Sequence, residues 1–281
     1  MNISSHSEKN NVGKTADGAK TVEIPRRDTL GAFLLGYGIT VFEVVRADGL
    51  ILIPGKKLRG DFAAALIFLM PYFSGEKTLS DGSRISLYAR SYDYHILFRG
   101  IKQAAGERFS ASGFCDSSPF AEVACAASAG LGVIGRNGLL ISPEYGSFCF
   151  IGILLLPDFD GEPAEMRRPG RCENCGLCLK ACPTGCLSDA GAPCVSAVTQ
   201  KKGELTDEEK ALILREGTIW GCDKCLLACP HNIKYVRSGK VGLGFFLDTY
   251  SSVPILGDGF EDRAYAWRGR DTLIRNIGLF E

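Results

Sequence analysis

Eight cysteines within one segment of the chain constrain its fold more than any other feature. Two runs share a spacing pattern, with one further thiol between them: Cys172-Glu-Asn-Cys175-Gly-Leu-Cys178-Leu-Lys-Ala-Cys182-Pro183, then Cys194, then Cys222-Asp-Lys-Cys225-Leu-Leu-Ala-Cys229-Pro230. A Cys-x2-Cys-x2-Cys-x3-Cys-Pro run is typical of ferredoxins with two [4Fe–4S] clusters, in which the last thiol ligates the other cluster. The spacing therefore predicts a pair of such clusters.

Two other uses of cysteine fit the sequence less well. Disulfide frameworks are typical of short secreted chains, whereas this chain has 281 residues and a polar N-terminal segment without an apolar signal region. Zinc sites usually pair one Cys-x2-Cys with a second pair or with histidines farther along the chain. The first run instead places three thiols at two-residue gaps, and the whole chain has only 3 His.

Counting thiols assigns a ligand set to each cluster. The second run has Ile219 where its leading cysteine would fall, so Cys194 is the one unassigned thiol between the runs that can complete a set. The predicted ligands are Cys172, Cys175, Cys178 and Cys229 for the first cluster and Cys182, Cys194, Cys222 and Cys225 for the second. Because every iron then has a thiolate, both clusters should transfer electrons and not bind substrate. The four other cysteines are interpreted as small buried apolar residues: Cys115, Cys125, Cys149 and Cys186.

The remaining sequence predicts four regions. They are a flexible tail over 1–26, an α/β module over 27–165, a ferredoxin-like domain over 166–240 and a C-terminal segment over 241–281 that packs on the core. Apolar patterning predicts strands over 39–45, 50–53 and 63–69, and a hairpin formed by 139–142 and 148–156. Predicted helices are 87–103, 118–128, 206–217 and 221–229.

Charge and hydropathy predict neither a strongly basic nucleic-acid-binding protein nor a membrane protein. Lys plus Arg equals Asp plus Glu, 32 each, which predicts no strongly basic surface for nucleic acid. The longest apolar run, 62–73, is much shorter than the roughly 20 residues of a membrane span, so we expect no membrane partner. Iron–sulfur clusters and free thiols favour a reducing compartment, and we expect a cytoplasmic protein.

Three short segments outside the cysteine runs are candidate sites. Gly130-Leu-Gly132-Val-Ile-Gly135 matches the dinucleotide fingerprint, but it follows a predicted helix and leads into a strand, so we interpret it as a tight helix-to-strand crossing. Asp116 precedes a predicted helix, where it is either a first-turn carboxylate or a proton donor. The segment 86–95 concentrates tyrosines around Asp93, and its tyrosines either cover core or line a site.

A resemblance emerges when these segments are taken together over residues 60–281. The matching segments are Tyr88-Ala-Arg-Ser-Tyr-Asp93-Tyr94-His95, Asp116-Ser-Ser-Pro119 with Glu122, Ala129-Gly-Leu-Gly132-Val-Ile-Gly135-Arg-Asn137, Glu144-Tyr-Gly-Ser147, both cysteine runs, Cys194-Val-Ser196-Ala-Val-Thr199-Gln200, Trp267-Arg-Gly269 and Arg275-Asn276. They resemble the epoxyqueuosine reductase family, enzymes that depend on a corrinoid and on iron–sulfur clusters.

The resemblance implies an α+β fold in which a cobalamin-binding, nitroreductase-like module precedes a domain with two [4Fe–4S] clusters. It implies cobalamin in base-off form, Asp116 as the proton donor, and an external electron donor of ferredoxin or flavodoxin type. It also implies the crossed thiol assignment. The residues that it places near the cofactor are Asp93, Ser196, Asp223 and Lys224.

The chain departs from the family in three respects. It ends at Glu281 without the helical-repeat extension of family members that act on tRNA, and Val123 stands where the family has Arg after Glu122. The balanced charge also gives tRNA binding little support. Two alternatives therefore stay open: an electron-transfer partner without corrinoid chemistry, and a corrinoid-reducing chaperone without substrate chemistry.

Overall fold

The computed structural model describes residues 22–116 and 118–281. Most of the predicted tail, residues 1–21, lies outside the described residues. The helices are α1 (Arg27–Leu35), α2 (Tyr94–Phe109), α3 (Glu122–Ser128), α4 (Leu177–Ala181), α5 (Val195–Thr199), α6 (Asp207–Glu216), α7 (Lys224–Leu227), α8 (Pro230–Arg237), α9 (Gly244–Asp248) and α10 (Arg270–Ile277). The strands are β1 (Phe42–Arg46), β2 (Ala64–Pro71), β3 (Ser112–Phe114), β4 (Val133–Ile134), β5 (Leu140–Ile141) and β6 (Cys149–Leu156).

A four-stranded antiparallel sheet forms the centre of the described structure, in the order β1-β2-β6-β3. Every residue of β2 is buried, as its continuous apolar run predicts, because both faces of the sheet are covered. Where β2 and β6 pair, Phe68 lies opposite Gly152, and a Cβ at Gly152 would overlap the Phe68 ring. The strand predicted over 63–69 is confirmed.

Two apolar cores lie on the two sides of this sheet. Alternate residues of β2, such as Leu66 and Phe68, pack with α1 and α2 in the first core, and Ala65 and Ile67 face the second core with α3. Residues from the C-terminal half of the chain also join the first core, among them Leu226 and Phe246. The C-terminal half is therefore anchored to the sheet by apolar packing, whereas the predicted domain limits stay a prediction.

Three expectations about local structure are wrong. The hairpin does not form, because β5 pairs with β4 while β6 joins the central sheet between β2 and β3. Residues 50–53 are not a strand and make only an isolated bridge, between Leu52 and Phe120. The helix predicted from residue 87 begins at Tyr94, because the Asp93 carboxylate accepts the His95 N–H and caps it there.

Of the remaining helices, α6 follows its sequence signal, whereas the helix start predicted at Ser118 is a fourth wrong expectation. Helix α6 has a complete capping box of Thr206 and Glu209, as its sequence predicts. Helix α3 begins at Glu122 and not at residue 118, since the Ser118 hydroxyl accepts the Phe120 N–H instead of capping a helix. The glycine-rich segment joins α3 to β4, which confirms a helix-to-strand crossing. Within the described ranges, no helix has the length and apolar character that crossing a membrane requires.

Candidate functional site

One cavity collects four cysteines from both runs, and they are the four predicted for the first cluster. Together with the Gly135–Asn137 loop and His231, they line a cavity of about 60 Å³. The lining cysteines are Cys172, Cys175, Cys178 and Cys229. The spacing predicts that Cys229, from the second run, joins the ligands of the first cluster, and the fold places it beside them. Their role as ligands stays a prediction.

Left-handed backbone and a strand contact shape the loop around this cavity. Asn174 and Gly176 have φ angles of 62° and 76°, which bend the loop between the first three thiols. The Cys172 N–H donates to the Ile134 carbonyl at 3.1 Å, and this bond attaches the loop to β4. Arg136 donates to the Asn174 side chain at 2.8 Å. The sheet module therefore holds one wall of the first site.

The four cysteines predicted for the second cluster also lie near one another. Burial and then the charge of Cys222 raise the pKa of the Cys225 thiol to about 11, and the charges of Cys182 and Cys194 add to the shift. Helices α4 and α7 pack together and bring the end of the first run beside the second.

The donor set fits [4Fe–4S] chemistry at both sites. A four-iron cluster takes one thiolate on each iron, so its donors are spread around a cavity. In the part of the chain that the structure describes, no three His, Cys, Asp or Glu side chains are grouped around the position of a single ion. Of the cysteines interpreted as buried apolar residues, Cys115 and Cys125 are buried. For Cys186 that interpretation is wrong, because it is partly exposed and contacts Cys182.

A separate cleft of about 560 Å³ contains Asp116. Its lining combines three carboxylate or imidazole groups with aromatic rings: Tyr88, Asp93, Tyr94, His95, Asp116, Gln200, Ala264 and Trp267. The cleft brings together Asp93 and Asp116, two of the predicted site residues. It also contains Tyr94, His95, Gln200 and Trp267, which lie in the quoted segments but were given no role from sequence.

Asp116 makes direct contacts with two aromatic side chains of α2. The Tyr94 hydroxyl donates to its carboxylate, and His95 Nε2 lies 3.8 Å from the same oxygen. His95 Nδ1 is 2.8 Å from Asp93 Oδ1, so the imidazole bridges the two carboxylates. The Tyr94 ring stacks on Phe150 of β6 with centroids 3.8 Å apart, which fixes the phenol against the sheet.

Asp116 itself has a strained backbone. Its φ angle is 60°, which a residue with a Cβ rarely adopts, and its N–H donates to Glu122 at 3.2 Å. The side chain is 57% exposed and faces the cleft. Strain of this kind persists where surrounding structure enforces it, and it is concentrated at functional sites.

The charges in the cleft favour a protonated imidazole between two carboxylates. The hydrogen bond that His95 donates to Asp93 raises the pKa of His95 against the opposing effect of burial, and the charges of Asp93 and Asp116 add to it. Burial alone would raise the pKa of Asp93, but its bonds to His95 outweigh this and the pKa is lowered. Burial, followed by the charge of Asp116, raises the pKa of Tyr94, which stays a hydrogen-bond donor.

Helix α5 links the second cluster site to this cleft. Cys194 is its N-cap residue, and Gln200, which lines the cleft, follows its last turn. Gln200 Nε2 donates to the Ser196 hydroxyl at 2.9 Å, so Ser196 orients Gln200. The predicted site residue Ser196 thus lies one side chain from the cleft.

Asp223 and Lys224 lie elsewhere, in a neighbouring cleft that also contains Cys222. The Asp223 carboxylate accepts the Ser86 hydroxyl at 2.5 Å and the Leu87 N–H at 2.8 Å. Lys224 pairs with Glu216 at 3.1 Å. The structure does not bring these two residues to Asp116. It ties Asp223 to the turn that leads to Tyr88, and a cofactor role for either residue stays a prediction.

The grouped cysteines define an iron–sulfur protein, and the cleft that contains Asp116 is separate from their cavity. Residues 171–232 match the family described as 4Fe-4S double cluster binding domain. The chain is similar to epoxyqueuosine reductases, which confirms the resemblance found in its sequence segments. It is 33% identical over 207 residues to the enzyme of Lactococcus garvieae, covering 66% of this chain and 57% of that relative. It is 36% identical over 173 residues to the enzyme of Gloeobacter violaceus, covering 56% of this chain and 52% of that relative.

The fold leads to the same relatives. The structure of epoxyqueuosine reductase from Streptococcus thermophilus superimposes with a TM-score of 0.69 at 24% identity, covering 89% of this chain and 79% of that one. The mixed helix and strand architecture expected from sequence is therefore confirmed at the level of the fold. The chain spans a little over half the length of the curated relatives it matches.

Proposed function

We propose that the chain is an iron–sulfur and corrinoid-dependent reductase of the epoxyqueuosine reductase type, with Asp116 as its proton donor. The observation that carries the proposal is the Asp116 cleft joined through α5 to the second cysteine set. Two [4Fe–4S] clusters would supply single electrons, and a base-off cobalamin would supply two-electron reduction of an epoxide. The curated relatives are named epoxyqueuosine reductases, and epoxyqueuosine is the substrate we propose.

The residues of the cleft suit proton delivery. Asp116 is exposed to the cleft, and its oxygen is bonded to the Tyr94 hydroxyl and faces His95. A protonated His95 can return a proton to Asp116 after that carboxyl has donated to a departing oxygen, and Asp93 stabilises the charged imidazole. Because Asp93 occupies Nδ1 and Asp116 faces Nε2, the imidazole is engaged on both nitrogens and would serve proton transfer between them.

The aromatic rim supports the binding of a flat macrocycle. Trp267 is 57% exposed at the cleft, an unusual position for a large ring, and the Tyr88 hydroxyl inside it accepts the Trp220 N–H at 2.9 Å. Tyr88 and Tyr94 add apolar ring surface. We propose that these rings contact the corrinoid, and that Gln200 contacts it from the side of the second cluster site.

Cobalamin titration under anaerobic conditions tests this function. After cluster reconstitution, cob(II)alamin should give a base-off EPR spectrum with saturable binding, and Trp267→Ala should weaken binding at least about tenfold, the loss of one desolvated aromatic contact. Leu139→Ala, at another exposed apolar residue, is the matched control and should bind as the wild type does. Protein with full clusters that leaves the cobalamin spectrum unchanged would refute the corrinoid function and favour an electron-transfer protein.

An external ferredoxin or flavodoxin is the proposed electron donor. Helix α8 starts directly after Cys229, and its exposed face carries His231, Lys234 and Arg237 beside the first cysteine cavity. Electron carriers of this class are acidic, so charge complementarity favours docking there. Reversing the charges in a K234E/R237E variant should raise the KM for a flavodoxin donor, and Lys56→Glu, at an exposed residue of another segment, should not. Equal KM values in both variants would contradict this docking face.

The balanced overall charge of the chain does not support a substrate that is carried on tRNA.

A further inference from the structure

Five thiols, and not four, belong to the second cluster site. The Cys186 sulfur lies 3.4 Å from the Cys182 sulfur, in direct contact with a predicted ligand. A tight turn causes this: the Gly185 N–H donates to the Cys182 carbonyl at 3.2 Å, and Gly185 has a φ angle of 71°, which reverses the chain after Pro183. Cys186 is partly exposed and packs in neither of the apolar cores beside the sheet.

The surplus thiol is confined to the second site. The segment that matches the double cluster domain includes Cys186. Among the described residues, the cavity of the first site is lined by its four predicted ligands and by no fifth cysteine. Because a four-iron cluster takes one thiolate per iron, one thiol of the second group is in excess.

We propose that Cys186 is a reserve ligand of the second cluster, which binds the iron assigned to Cys182 when the Cys182 thiolate is not available. In the exchange, the bond from iron to the Cys182 sulfur breaks, and the Cys186 thiol loses its proton and bonds the same iron. The proton passes to the Cys182 sulfur, and no electron is transferred. The inference rests on the two-cluster part of the proposed function and not on the corrinoid.

Iron and acid-labile sulfide contents of four variants test the reserve ligand. Cys182→Ala should keep the iron content of the wild type, whereas the C182A/C186A double variant should lose half. Cys186→Ala alone should stay fully loaded, because Cys182 is present. Cys178→Ala is the matched control from the first site, where no spare thiol is available, and it should lose half.

Alkylation gives a second measurement that does not depend on activity. In the wild-type protein, iodoacetamide followed by peptide mass spectrometry should label Cys186 and leave Cys182 protected, and in Cys182→Ala the labelling of Cys186 should be lost. The proposal is refuted if Cys182→Ala loses half its iron, or if Cys186→Ala does. Wild-type protein without labile sulfide would instead refute the cluster assignment itself, so the two failures are distinguishable.

Discussion

Replacing Asn276 with alanine should destabilise the second cluster site selectively. Asn276 is fully buried, and its amide donates to the Thr199 carbonyl at 2.7 Å and to the Ile219 carbonyl at 2.8 Å. Thr199 ends α5, whose N-cap residue is Cys194, and Ile219 precedes Cys222 closely in the chain. One side chain therefore holds the two pieces of chain that carry these predicted ligands at a set separation.

The expected magnitude follows from the groups left without partners. Alanine leaves two main-chain carbonyls without this donor, and each buried unsatisfied group costs about 1–3 kcal/mol. Because the structure around the two carbonyls can relax and recover part of this cost, we expect a loss of about 3 kcal/mol in the free energy of unfolding. For a chain of this size, about 2 °C per kcal/mol gives a decrease of roughly 6 °C in apparent Tm.

Anaerobic thermal scans at one scan rate, together with iron release to a chelator, measure both effects. The second cluster should be released first in Asn276→Ala. Asn232→Ala is the matched control: Asn232 is equally buried, donates to the Leu226 carbonyl and accepts the Ser147 N–H, both at 2.7 Å, and follows Cys229. It should release the first cluster first. An unchanged Tm in Asn276→Ala, or the same order of release in both variants, would show that the reasoning is wrong.

Three further predictions concern the cleft and the glycine segment. Asp116→Asn should lower kcat at least about 100-fold, the scale of a lost general acid, while dithionite still reduces the clusters; retained turnover contradicts its role. The His95 pKa is raised by Asp93 in the folded state, so the stabilisation is complete below the ordinary histidine pKa of about 6.5 and is lost as pH rises through the higher folded value. Asp93→Asn should lower the His95 pKa in an NMR titration, so that the loss of stability occurs at lower pH. Arg99 and Asp116, the other charges that act on His95, stay in place in this variant. An unchanged His95 pKa would contradict the pairing of His95 with Asp93. Gly132→Ala should destabilise the fold by about 1–3 kcal/mol, because the added Cβ would overlap the Ile141 carbonyl oxygen. Gly100→Ala in α2, where the added Cβ meets open space, should stabilise the fold by up to about 1 kcal/mol. Equal urea midpoints for the two variants would contradict the interpretation of the glycine segment as a tight helix-to-strand crossing.

The cluster segment is the part that local sequence predicts best. Ligand spacing is a local property, because Cys172, Cys175 and Cys178 lie within one loop, and the shortage left by Ile219 points to a donor from outside the runs. The structure places Cys229 beside the first three thiols, as that count requires. The buried strand β2 is equally local, since a continuous apolar run fits few other positions.

Pairing between distant segments explains what the sequence did not predict. The run 148–156 has the residues of a strand, but its partners β2 and β3 lie far from it in the chain, and nothing in the adjacent residues excludes a hairpin. The grouping of His95 with Asp116 depends on how α2 packs on the sheet. The contact of Cys186 with Cys182 was accessible from sequence in principle, because Pro183 and Gly185 predict a tight turn between them.

Metal and sulfide analysis of anaerobically reconstituted protein, combined with spin-quantified EPR after reduction, measures how many clusters the chain holds. We predict two [4Fe–4S] clusters per chain, with equal iron and labile sulfide, and loss of only one of them in Cys178→Ala. Protein that holds zinc, contains no labile sulfide and gives no EPR signal on reduction would contradict it.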